Sequence, residues 1–235
     1  MPINRLGRTE MIRRLFSHKN NELLETVLTK EYDTLYSIDS LKLKDDETMA
    51  TQEELQQLLE QIRPEVHEFF NASTNAQCFI AYRVHPEERS EYCNNLISLE
   101  QKSRVKIIGD IAHEYAHHLQ ANILINIFRH GSMNPLIEGL ARNAERFVVD
   151  RYAERIDNPA YIQEALDLSI PELISVRNAI NELNNDSCKH TEGHYMIGVS
   201  DHAIGNAYMR VKEEQHGKNY YKDLFNQLIH EWDFL

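Results

Sequence analysis

Five consecutive residues, His113-Glu114-Tyr115-Ala116-His117, carry side chains that can do chemistry at a spacing that lets them act together. They lie in residues 103–128, where Ile108, Ile111, Ala112, Tyr115, Leu119 and Ile123 recur with helical period. On a helix, residues four apart share a face about one turn apart, so both imidazoles can reach one metal ion. Glu114 stands beside them, where a carboxylate can take a proton from a metal-held water. The chain has 12 histidines in 235 residues. A chance match to three fixed positions is expected in roughly one such chain in twenty, so the surrounding sequence has to decide.

A catalytic zinc ion takes three protein ligands and keeps a fourth position for water. Glu138 offers the third, near the start of a helical stretch that opens with Asn134 as cap and Pro135 in its first position. The spacing from His117 allows a helix end, a turn and a second helix. Two alternatives stay open: an ion pair of Glu138 with Arg142 four residues on, or replacement as ligand by Glu145, more distantly by Asp150 or His130. Further along, Tyr195-Met196-Ile197-Gly198 and His202-Ala203-Ile204-Gly205 are similar strings seven residues apart. On one helix Tyr195 and His202 would share a face, and either could donate to an oxyanion or simply pack in the core.

Composition bounds the context. With 42% hydrophobic residues the chain has material for one sizeable core or two lobes, and a net charge of −12 argues against a general affinity for nucleic acid or anionic membrane. No apolar run reaches the roughly 18–20 residues that span a bilayer. The first residues lack the apolar centre of a signal peptide. Cys78, Cys93 and Cys188 are odd in number and show no CxxC spacing, so a reducing, cytoplasmic location is the expectation.

The elements that must position these residues are also legible. Periodicity predicts a helix over residues 9–28, interrupted at 17–21, then a polar connector at 42–51. Thr51-Gln52-Glu53-Glu54 has capping-box form and opens a helix to about Phe70, with Pro64 a kink candidate. Residues 78–84 and 95–99 read as strands around a loop at 85–90. A strand directly before the motif helix would wall a cleft, and its exposed edge could hold an extended peptide. A helix over 134–156 is ended by Asp157-Asn158-Pro159. Two more, 160–168 and 169–183, are divided by the capping-box spacing of Ser169 and Glu172. After a polar loop at 184–193 come a helix over 195–215, stopped by Gly217, and a terminal helix to about Trp232. The expected class is α+β, mainly helical, with about eight helices and a small sheet.

These residues resemble the gluzincins, zinc metallopeptidases with HExxH on one helix and a glutamate ligand on the next. Glu138-Gly139-Leu140-Ala141 with Glu145 seven residues on is similar to the EGxAxxxE segment of the aminopeptidase branch. The resemblance implies a zincin-like fold: a helical extension over 1–50, a subdomain over 51–128 with a small sheet and the zinc-binding helix, and a helical subdomain over 129–235 carrying the third ligand. It implies one Zn2+ per chain held by His113, His117 and Glu138, Glu114 as general base, and Glu145 orienting a zinc-bound histidine. It makes His202 or Tyr195 the oxyanion donor. The GxMEN string is missing, and Arg142 stands where NExxxD would place an aspartate, so specificity stays open. The expected activity is hydrolysis of peptide bonds in peptides or unfolded protein. The rival expectation is a latent or non-catalytic zinc-binding regulatory or toxin-like protein, silenced by its N-terminal third or by an inhibitory partner.

Overall fold

Caps and positive-φ residues punctuate the chain into short, well-bounded elements. The computed structural model describes residues 8–15, 17–44, 48–83, 89–124, 134–185 and 198–232. Helix α1 (Arg8–Leu15) and helix α2 (His18–Ser37) part at Ser17, inside the interruption expected there, and α2 runs well past the expected end. Helix α3 (Gln52–Phe70) begins at Thr51, whose hydroxyl accepts from Glu54 N at 3.3 Å while Glu54 Oε2 accepts from Thr51 N at 2.7 Å. That closes the predicted capping box. Asn71, at φ 50°, ends the helix.

Three strands follow: β1 (Phe79–Tyr82), β2 (Glu91–Cys93) and β3 (Leu96–Leu99), in the order β1-β3-β2. β3 runs parallel to β1 and antiparallel to β2. The expectation of an exposed edge on the strand before the motif helix is therefore corrected: β3 is central and paired on both sides. The sequence reading missed β2, which is only three residues long. It is joined to β3 by Asn94 and Asn95 at φ 50° and 65°, a two-residue turn that asparagine tolerates well.

Among the described residues the elements that follow are helices: α4 (Arg104–Ile123), α5 (Asn134–Ile156), α6 (Ala160–Asn185), α7 (Asp201–His216) and α8 (Tyr220–Trp232). Asp157 at φ 49° separates α5 from α6, and Gly217 at φ 87° separates α7 from α8. Two expectations fail. The break at residues 169–172 is absent, because α6 runs through Pro171. Ser169 Oγ and Glu172 Oε2 instead accept from Asn206 Nδ2 at 3.1 and 2.9 Å, so a tertiary contact uses the residues whose spacing imitates a cap. Helix α7 starts at Asp201, not 195, because Ser200 Oγ accepts from Ala203 N at 3.1 Å and caps it there. Gly198 and Val199 precede the helix, and Tyr195 lies outside the described residues.

Contacts group the chain into two compact units, each drawn from separate stretches of sequence. One comprises Ile38–Ile125 and Ala144–Ala165; its core joins Leu55, Leu59 and Ile62 of α3, Ile97 and Leu99 of β3, and Ile108, Ile111 and Tyr115 of α4. The other comprises Met1–Ser37, Asn126–Asn143 and Leu166–Leu235. In it α1 and α2 pack on α7, burying Met11, Leu15 and Leu24 completely. Arg14 donates to Tyr208 Oη at 3.1 Å and Lys30 to Glu214 Oε2 at 2.6 Å across those contacts. The N-terminal helices are thus core of the helical unit. α5 and α6 each contribute residues to both units. No helix among the described residues is long and apolar enough to cross a membrane.

Candidate metal centre

The apolar period of α4 buries Ile107, Ile108, Ile111, Ala112, Ala116 and Leu119 against the sheet unit and carries His113 and Glu114 inward with them, each 7% exposed. His113 Nε2 and His117 Nε2 face each other at 3.1 Å, their rings edge to face. His117 Nδ1 lies 2.9 Å from Gln120 Oε1. An amide oxygen only accepts, so this contact favours the tautomer with its proton on Nδ1. His113 Nδ1 lies 3.3 Å from Glu145 Oε2.

The spacing fits a metal. Two nitrogens each about 2.0–2.1 Å from a tetrahedral zinc are roughly 3.3 Å apart. His113, His117 and Glu138 each offer one ligand atom, all within 4.8 Å of one another, and form a group that could hold a metal ion. Two imidazoles and a carboxylate suit zinc.

Glu138 stands two turns before Glu145 on α5. Its Oε2 lies 3.0 Å from Nε2 of His202, in the first turn of α7. Arg142, the ion-pair alternative weighed for Glu138, donates to Glu172 Oε1 at 3.0 Å. Among the other ligand candidates, Asp150 accepts from Arg146 at 2.7 Å, and His130 lies outside the described residues. Glu145 reaches the Nδ1 side of His113, the place from which a carboxylate orients the ring.

Sequence reasoning missed Gln120 and Gly109. Gln120, fully buried, is three residues after His117 and so on its face. A Cβ on Gly109 would meet Glu145 Oε1 at 3.1 Å, so the glycine makes room for the Glu145 carboxylate. Its signal was a glycine within a helix, which costs about 1 kcal/mol relative to alanine and asks for a reason.

Behind the site, Tyr115 Oη and His67 Nε2 are 2.9 Å apart, and burial pushes the phenol up to about 12. Burial, with the Arg63 and His118 charges adding, lowers His67. His118, wholly buried and also lowered chiefly by burial, turns Nε2 to the Ala76 carbonyl at 3.3 Å. The His67 and His118 rings both pack against the Tyr115 ring of α4. No family model, curated protein or solved structure matches the chain.

Proposed function

We propose that the chain is a zinc-dependent metallopeptidase of gluzincin type, hydrolysing peptide bonds in peptides or locally unfolded protein. The observation that carries this reading is the pair of Nε2 atoms at 3.1 Å, with the Glu138 carboxylate in the same group and His117 Nδ1 against Gln120 Oε1. His113, His117 and Glu138 would hold the ion. When bound, zinc acidifies water and polarises a carbonyl.

The chain's own residues do the rest. Glu114, buried between the two imidazole positions in sequence, accepts the proton of the attacking water and passes it to the departing amine. A site that only held a metal would have no use for this carboxylate. His202, whose Nε2 lies 3.0 Å from Glu138, would stabilise the oxyanion that develops on the attacked carbonyl by donating a hydrogen bond.

The test is zinc content together with cleavage of a mixed quenched-peptide library, for the wild type and Glu114→Gln. One zinc per chain in both, with cleavage by the wild type alone, is the expected result. Equal cleavage by both would remove Glu114 from the mechanism, and absence of stoichiometric metal from the wild type would end the reading.

A further inference from the structure

Helix α7 crosses α5 at backbone contact. A Cβ built on Gly205 would fall 2.0 Å from Pro135 O and 2.6 Å from Gly139 N, and one on Gly139 would fall 2.5 Å from Gly205 O. Glycines permit that closeness but do not fix how far one helix has slid along the other. A second contact does. Glu172 of α6 accepts from Arg142 of α5 at 3.0 Å through one carboxylate oxygen and from Asn206 of α7 at 2.9 Å through the other. Asn206 is 2% exposed and also donates to Ser169 Oγ at 3.1 Å, so its amide has little freedom.

Arg142 is four residues after Glu138, and Asn206 is four residues after His202. On helices each gripped residue therefore stacks one turn from the residue proposed to work at the metal centre. A sliding of α7 against α5 by one residue would carry His202 about 1.5 Å along the axis and break its 3.0 Å pairing with Glu138.

We infer that Glu172 is a positioning residue: its carboxylate clasps Arg142 and Asn206, locks the register of α5 against α7, and so holds Glu138 and His202 opposed. This rests on the metallopeptidase reading, in which Glu138 is a ligand. Glutamine at 172 still accepts from Asn206 but presents an amide, in place of a charged acceptor, to the Arg142 guanidinium. The clasp then opens on the α5 side alone.

The experiment uses the full chain loaded with Co2+, whose visible absorption reports the ligand set, and compares wild type, Glu172→Gln, Arg142→Gln and Glu138→Gln below their melting temperatures. Leu173→Ala, a buried neighbour on α6, serves as the control for a purely structural loss. The expected result is that Glu172→Gln and Arg142→Gln both move the spectrum toward that of Glu138→Gln and weaken cobalt binding about tenfold. Leu173→Ala lowers the melting temperature with the wild-type spectrum retained. Wild-type spectra and affinities in both clasp variants would overturn the role of Glu172 while leaving the metal reading intact. A wild type that binds no cobalt would overturn both.

Discussion

At the residue scale the site turns on His117, whose Nδ1 lies 2.9 Å from Gln120 Oε1; an acceptor there favours the proton on Nδ1 and leaves Nε2 for the proposed ion. Replacing Gln120 with Met, of similar volume and without an acceptor oxygen, is expected to cut zinc affinity about 10–100-fold in competition with a chromophoric chelator. Gln120→Glu restores an acceptor and is expected to keep most of the affinity. Equal affinity in all three would show that the tautomer is set elsewhere. His113, His117 and Glu138, the group that could hold a metal ion, were legible in the sequence because their side chains are unusual in combination and their spacing is helical. Gln120, Gly109 and Glu172 were not, since each is an ordinary helix residue until its tertiary partner is known.

Cys78 gives a residue-scale prediction away from the metal. Burial pushes its thiol up to about 12, far above the ordinary value near 8.5. The fold therefore keeps its proton where the unfolded chain has lost it. The contribution to stability is complete below about pH 8.5 and is lost as the pH rises toward 12. Between pH 8 and pH 10 the wild type should lose about 1 kcal/mol more in denaturant unfolding than Cys78→Ala, after allowance for partial solvent screening. Identical pH slopes would show the thiol to be ordinary.

At the scale of elements, the sequence reading was most secure where a helix end depends on local chemistry, as at Thr51, Asp157 and Gly217. It erred where a distant partner overrode a local signal. Ser169 and Glu172 have the spacing of a cap, yet their oxygens serve Asn206, and α6 continues through Pro171. Strand β2 was too short for alternation to register. The N-terminal helices also bear on latency: Met11, Leu15 and Leu24 are fully buried within the helical unit, so removing them strips core. The α5–α7 crossing is the most exacting contact of that unit. Gly205→Ala forces a methyl against the Pro135 carbonyl, which has no side-chain freedom to yield. A loss of about 3 kcal/mol or more is expected from urea unfolding, against about 1 kcal/mol gained from helix propensity alone. A more stable variant would contradict the crossing.

For the whole molecule, the mainly helical fold with its small sheet was legible because periodic apolar positions fill most of the chain. The interleaving of the two units was not, since it depends on which residues meet after folding. An ion bound only by the folded chain stabilises it by mass action, about 2.7 kcal/mol at a hundredfold excess over Kd. At roughly 2–4 °C per kcal/mol, zinc should raise the melting temperature of the chelator-treated protein by roughly 5–11 °C. The same addition should leave His113→Ala unmoved; an equal rise in that variant would place the stabilising ion somewhere else.

The most direct test of the metal centre is zinc-edge X-ray absorption on the stoichiometrically loaded protein. The account predicts two imidazole nitrogens at about 2.0–2.1 Å and oxygen ligands at about 2.0–2.2 Å, with the imidazole signal halved in His117→Ala. A sulfur shell near about 2.3 Å, or a spectrum that His117→Ala leaves unchanged, would contradict it.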